Sequence, residues 1–334
     1  MALSLSGGRA DLASEPFGVL RHSLLNPPMP LLPIGSATVA TDGSFAGLLC
    51  AYAAAHRAGA LPASVVVGGR EGTGGLFGAP EAVATDGPLA ERIERGLERA
   101  RPHLVGKLFR AFLSEEPGIE VAILRLIDAV AAEGGEIVAD WTFEPARLVS
   151  KASKRVGREA HRMEAFVRFE RHAEAREEGA ASGERWLARV RPEVHVLPVI
   201  AEHFASRYPA LRWTILDQNR GLALVHDTPA AELAPEAPAT RIVPASSLPD
   251  LAPTADETAY QRMWRAYFRS VDIPERRNLK LHLRHVPKRY WPDLTEKRPE
   301  VGALAETEPP AETPAPEAAP RRAVKPRGPG ASGA

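Results

Sequence analysis

Apolar positions along the chain alternate between β-branched runs and stretches with 3.6-residue spacing, and their order sets the expected architecture. The runs "ATVAT" (37–41) and "ASVVVGG" (63–69) read as strands. Between them "DGSFAGLLCAYAAAHRAG" (42–59) reads as a helix, capped by Asp42 or Ser44 and ended by Gly59. Helical spacing holds from Pro88 to Gly135 and predicts two or three helices, broken near Pro102 and Pro117. Residues 147–169, "RLVSKASKRVGREAHRMEAFVRF", predict a long helix running into a strand at "AFVRFER". A strand at "ERWLARVRPE", a helix at "VLPVIAEHFASRYP" and a hairpin of "LRWTILDQ" with "LALVHD" follow. This order predicts an α+β fold, with helices packed on one face of a small antiparallel sheet.

Composition divides the chain further. A flexible leader is expected over 1–36, an α+β core over 37–228 and a Pro/Ala-rich linker or surface loop over 229–256. A basic, aromatic helical segment over 257–298 is expected to pack on the core, ahead of a disordered tail over 299–334. The single cysteine, Cys50, excludes an internal disulfide framework and a cysteine-built cluster made by this chain alone. No window approaches a membrane-spanning length, and acidic residues interrupt the N-terminus where a secretory peptide needs an apolar run. A cytoplasmic location is the expectation.

Lysines and arginines balance acids, for a formal net charge of zero, yet the charge is unevenly placed. On a helix starting at Arg147, the residues Lys151, Lys154, Arg158, His161 and Arg162 fall within roughly 60° of Arg147, with Arg155 at the edge. Leu148, Ala152, Val156, Ala160 and Met163 fall on the other side. Such a row of like charges costs on the order of 1 kcal/mol in an isolated helix, which a solvated face normally avoids by interleaving acids. "SEEPGIE" (114–120) or "EAREEGAASGE" (174–184) could supply internal partners. A second basic stretch, from Arg262 to Lys297, mixes cations with Trp264, Tyr267 and Phe268 and with Lys288, Arg289, Tyr290 and Trp291. Cations that track phosphates beside aromatic faces that stack on bases point to nucleic acid, and the two stretches together outweigh solvation as their explanation.

Other candidates are weaker. "GGREGTGGLFG" (68–78) lacks the GK[ST] ending of a phosphate loop. Asp42 lies in turn chemistry at the end of a strand, where ligands often bind, and His161 could contact phosphate or donate a proton. The remaining histidines show no metal-ligand spacing, so no metal site is expected.

The segments "TDGSFAGLLCAY", "LFRAFLSE", "KASKRVGREAHRMEAFVRF", "HVLPVIAEHFASRY", "WTILD" and "VPKRYWPDL" occur in that order. Together they resemble a bacterial family described as a "probable DNA metabolism protein", a domain of unknown function, over about residues 37–296. The resemblance implies a role in DNA repair or modification beside a radical-SAM protein, and some relatives are fused to a uracil-DNA glycosylase-like domain. It implies no cofactor in this chain: the iron–sulfur cluster and S-adenosylmethionine would belong to the partner. The expected function is a DNA-binding accessory protein gripping phosphates through the basic helix, with Lys288, Arg289, Tyr290 and Trp291 completing the surface. The alternatives are a base-processing enzyme using Asp42 and His161, and a protein–protein adaptor of a repair complex.

Overall fold

The computed structural model describes residues 30–67, 80–174, 183–227, 239–271 and 278–298. Most of the expected leader, the glycine-rich stretch 68–79 and the tail beyond 298 lie outside the described residues. The chain divides into one unit ending at Lys297 and a second from Arg298 onward, and the structure below is that of the first.

Strand β1 (Thr38–Thr41) is the centre of a three-stranded parallel sheet, between β2 (Ser64–Val67) and β3 (Glu81–Ala82). Helix α1 (Phe45–Ala58) makes the crossover. Of the two candidate caps Ser44 takes the role: its hydroxyl accepts from the Gly47 N–H at 2.9 Å. Gly59 ends the helix in the left-handed conformation at φ 75°, where a side chain would be strained. Three helices follow, α2 (Gly87–Ala100), α3 (Leu104–Phe112) and α4 (Ile119–Glu133), with the breaks at Pro102 and Pro117 as expected. Their apolar faces close a core around Leu49, Tyr52, Leu97, Leu108, Ile123 and Ile127.

Helix α5 (Glu144–Phe166) joins this core to a second one. Its first half contributes Ala146, Val149 and Ala152 to the core just described. Val156, Ala160 and Met163 of its second half pack against a sheet and α6 (Leu197–Arg207). Each fully buried Val or Met of this stripe is worth about 1.5–3 kcal/mol relative to exposure, which fixes the rotation of the helix. The helix runs to Phe166, so the strand expected at "AFVRFER" starts only at Glu170.

The sheet has six strands in the order β8 (Thr240–Pro244), β7 (Leu222–His226), β6 (Trp213–Asp217), β5 (Gly183–Val190), β4 (Glu170–Glu174) and β9 (Leu251–Pro253). The α+β class is therefore as expected, with three differences from one small antiparallel sheet: the first is the separate, all-parallel sheet around β1. The β5–β6 pair is parallel, because α6 carries the chain back to the same end before β6 begins. Residues 240–253, inside the stretch expected as linker or loop, supply both edge strands. Prolines 244 and 253 stand at strand ends on these edges, where a missing N–H costs no ladder bond. Helix α7 (Ala255–Val271) then crosses beside β4, and α8 (Leu279–His285) leads into a 3₁₀ turn at Lys288–Asp293. No helix among the described residues is long and apolar enough to cross a membrane.

Candidate functional site

Burial of the apolar stripe turns the opposite face of α5 to solvent. Arg147, Lys151, Lys154, Arg158 and His161 are exposed along a helix about 35 Å long. Within the described residues, the four long cations of this row form no ion pair with a carboxylate. Lys154 lies over the ring of the exposed Trp141, 5.1 Å from its centroid. His161 is 87% exposed, with Nδ1 3.6 Å from Glu164.

The cations at the edges of the row are held within the chain, unlike the free row expected from spacing. Arg155 pairs with Glu116 at 3.1 Å and Glu193 at 3.6 Å. Arg162 lies 3.4 Å from Glu159, and Arg289 pairs with Glu159 at 3.0 Å and Glu193 at 3.1 Å. Tyr290 is buried, and its hydroxyl donates to Glu159 at 2.7 Å. Glu159 is the cause: it sits on the buried side of α5 and gathers the Lys288–Asp293 turn around it. Burial opposes ionisation of Glu159, but the Tyr290 hydroxyl, the Glu193 N–H and the Arg289 guanidinium outweigh it and hold the carboxyl below its ordinary range. The same contacts act oppositely on Tyr290: burial, then Glu159, pushes its hydroxyl up. Trp291 is half-buried, donates from Nε1 to the Val286 carbonyl at 3.1 Å, and has Lys288 and Lys297 over its ring. Of the turn residues expected in a nucleic-acid surface, only Lys288 is exposed.

The second half of the α5 face forms one wall of a groove of about 590 Å³. Lys154, Arg158, His161 and Arg162 come from α5, while Arg284 and His285 of α8 also line it. No acidic side chain is among its lining residues. Lys107 of α3 adds to the crowding of like charge: burial first, then Lys154 and Arg101, lower its affinity for a proton. Arg110, also on α3, donates to the Ser153 hydroxyl at 3.4 Å. Lys107 does not stand out in sequence as part of this site, and Arg284 and His285 do so only as members of the second basic stretch. Their signal is basic composition alone, and only the packing of α3 and the placement of α8 bring them to α5.

Asp42 and His161, the candidate acid–base pair, stand in different settings. Asp42 accepts from the Ser44 hydroxyl at 2.7 Å and the Ser44 N–H at 2.9 Å, and these bonds hold its carboxyl below the ordinary range. It belongs to the capping turn of α1, whereas His161 lines the basic groove. Cys50 is buried and accepts from the Asp86 N–H at 3.2 Å. Among the described residues no group of His, Cys, Asp or Glu is arranged to hold a metal ion.

No curated protein and no solved structure matches the chain. Among protein families, the one described as "Domain of unknown function (DUF4130)" matches residues 117–296. That span holds α5, the six-stranded sheet, α8 and every residue lining the basic groove. As the match takes in more than half of the 334 residues, the chain belongs to this family, the domain of unknown function DUF4130.

Proposed function

We propose that this protein binds DNA through its phosphate backbone, as an accessory component of a repair or modification system. The observation that supports this most is the groove with Lys154, Arg158, His161, Arg284 and His285 on its walls and no carboxylate among its lining residues. Crowding cations on one face without counter-charges costs folding energy, and a polyanion would return it. Contacts to phosphate position a protein without reading sequence, so binding should be nearly indifferent to base order. The resemblance to DNA-metabolism proteins points to the same ligand, and to a radical-SAM protein as the partner that would hold the iron–sulfur cluster and S-adenosylmethionine. A uracil-DNA glycosylase-like protein would be a further partner.

A gel-shift series with duplex DNA tests the reading. Replacing Lys151, Lys154 and Arg158 together by alanine should abolish the shift without lowering the thermal melt, because all three are exposed and their mutual repulsion is relieved. An unchanged shift would refute it. Co-purification of a repair protein that survives nuclease treatment and is lost in the same variant would instead identify the face as a protein-docking surface.

A further inference from the structure

A second cleft opens where α5 gives way to the sheet. It has a volume of about 650 Å³ and lies between the sheet and α7. Phe169 and Trp186 from the sheet side and Tyr260 and Trp264 from α7 line it, with Gln261, Thr295 and the Glu257 carboxylate, which accepts from the Arg171 backbone N–H and from Gln261, as polar groups. Phe169 is fixed from behind by edge contacts to Phe204 and Tyr208. Tyr260 and Trp264 are 62% and 40% exposed, unusual for large aromatics with a core nearby. The Trp264 ring is nonetheless pinned, since its Nε1–H donates to Glu296 at 3.0 Å and Arg168 holds the same carboxylate at 3.3 Å. Burial would raise the Glu296 carboxyl, but its own N–H, Trp264 and Arg168 keep it ionised. The Trp264 and Phe169 faces are therefore preorganised, while Tyr260 stands exposed at the rim.

The cleft adjoins the basic groove. Phe166 lines the groove and Phe169 lines the cleft, so their Cα atoms are at most about 10 Å apart. Arg168 and Arg171 also line the cleft, but both are paired within the chain, Arg168 with Glu296 and Arg171 with Asp256 at 3.0 Å. The cleft is therefore near charge balance, and the free cations stay in the groove. A cationic groove near a charge-balanced cleft of large aromatic rings, with an amide, a hydroxyl and a carboxylate available to a base edge, suits one ligand class. That class is a nucleotide whose base is unstacked while its phosphates stay outside.

We propose that this cleft receives an unpaired base of single-stranded DNA whose backbone runs along the α5 groove. The inference rests on the phosphate-binding reading above and adds strandedness to it. Three oligonucleotides of equal length separate the two: a single strand, a backbone of abasic sites carrying the same charge, and the duplex, with twice that charge. With the full-length protein, the single strand should bind about tenfold or more tightly than the abasic backbone and should quench tryptophan fluorescence. Tyr260→Ala should erase that preference without changing affinity for the duplex or the abasic backbone. Trp264→Phe should reduce the base-dependent quench to the part contributed by Trp186. Equal, salt-dependent binding of all three with no base-dependent quench would overturn the cleft proposal and leave phosphate binding standing. Failure to bind any of them would overturn both.

Discussion

Glu159 lies on the buried side of α5, where the Tyr290 hydroxyl, the Arg289 guanidinium and the Glu193 N–H all donate to it. Removing one partner of such a buried cluster leaves the others uncompensated. Glu159→Ala should cost about 3–5 kcal/mol in urea unfolding, much more than loss of an exposed pair would. The cluster also sets an acid limit. Because the folded carboxyl binds its proton more weakly than the ordinary glutamate at 4.5, its stabilisation is complete above that pH. It is lost as pH falls through the folded value, and Glu159→Gln should remove this part of the acid-unfolding limb in a pH series of melts. The same residue explains what periodicity could and could not resolve. Helical spacing separates the exposed row from the apolar stripe and puts Arg155 at the boundary. Which boundary cations are neutralised depends on Glu116 and Glu193, which arrive from distant parts of the chain.

At the scale of elements, helix ends and the isolated runs were the most legible features. Ser44 and Gly59 bound α1, and the breaks at Pro102 and Pro117 separate α2, α3 and α4, because caps and prolines act locally. The edge strands were hidden for the opposite reason. "TRIVP" carries a β-branched run, but its Pro/Ala-rich surroundings read as loop, and only the ladder offered by β7 makes it a strand. The parallel β5–β6 pairing likewise depends on where α6 packs. Gly135 gives a test of how closely the N-terminal helices fit together. A Cβ there would stand 2.1 Å from the Ala100 carbonyl oxygen at the end of α2, and backbone cannot swing aside as a side chain can. Gly135→Ala should therefore destabilise by about 1–3 kcal/mol or more, seen as a melting temperature lower by several degrees.

Across the whole molecule, a net charge of zero conceals segregation of the two signs. Carboxylates cluster with arginines on the sheet, where Arg185 pairs with Glu174 and Asp227, and Arg212 joins them at 2.8 Å from Glu174. Helix α5 keeps an unopposed cationic face, and α8 supplies the second wall of its groove. The cationic face was legible from spacing alone. The groove was not, since it depends on Arg284 and His285 lying beside residues more than a hundred positions earlier. The salt dependence of duplex binding, measured by fluorescence anisotropy between about 50 and 200 mM salt, addresses the central claim most directly. If Arg147, Lys151, Lys154 and Arg158, with Arg284 across the groove, meet four to five phosphates, log affinity should fall against log salt with a slope of about −4. The Lys154→Ala, Arg158→Ala double variant should bring it to about −2. A slope near zero, or one that the double variant leaves untouched, would contradict the account.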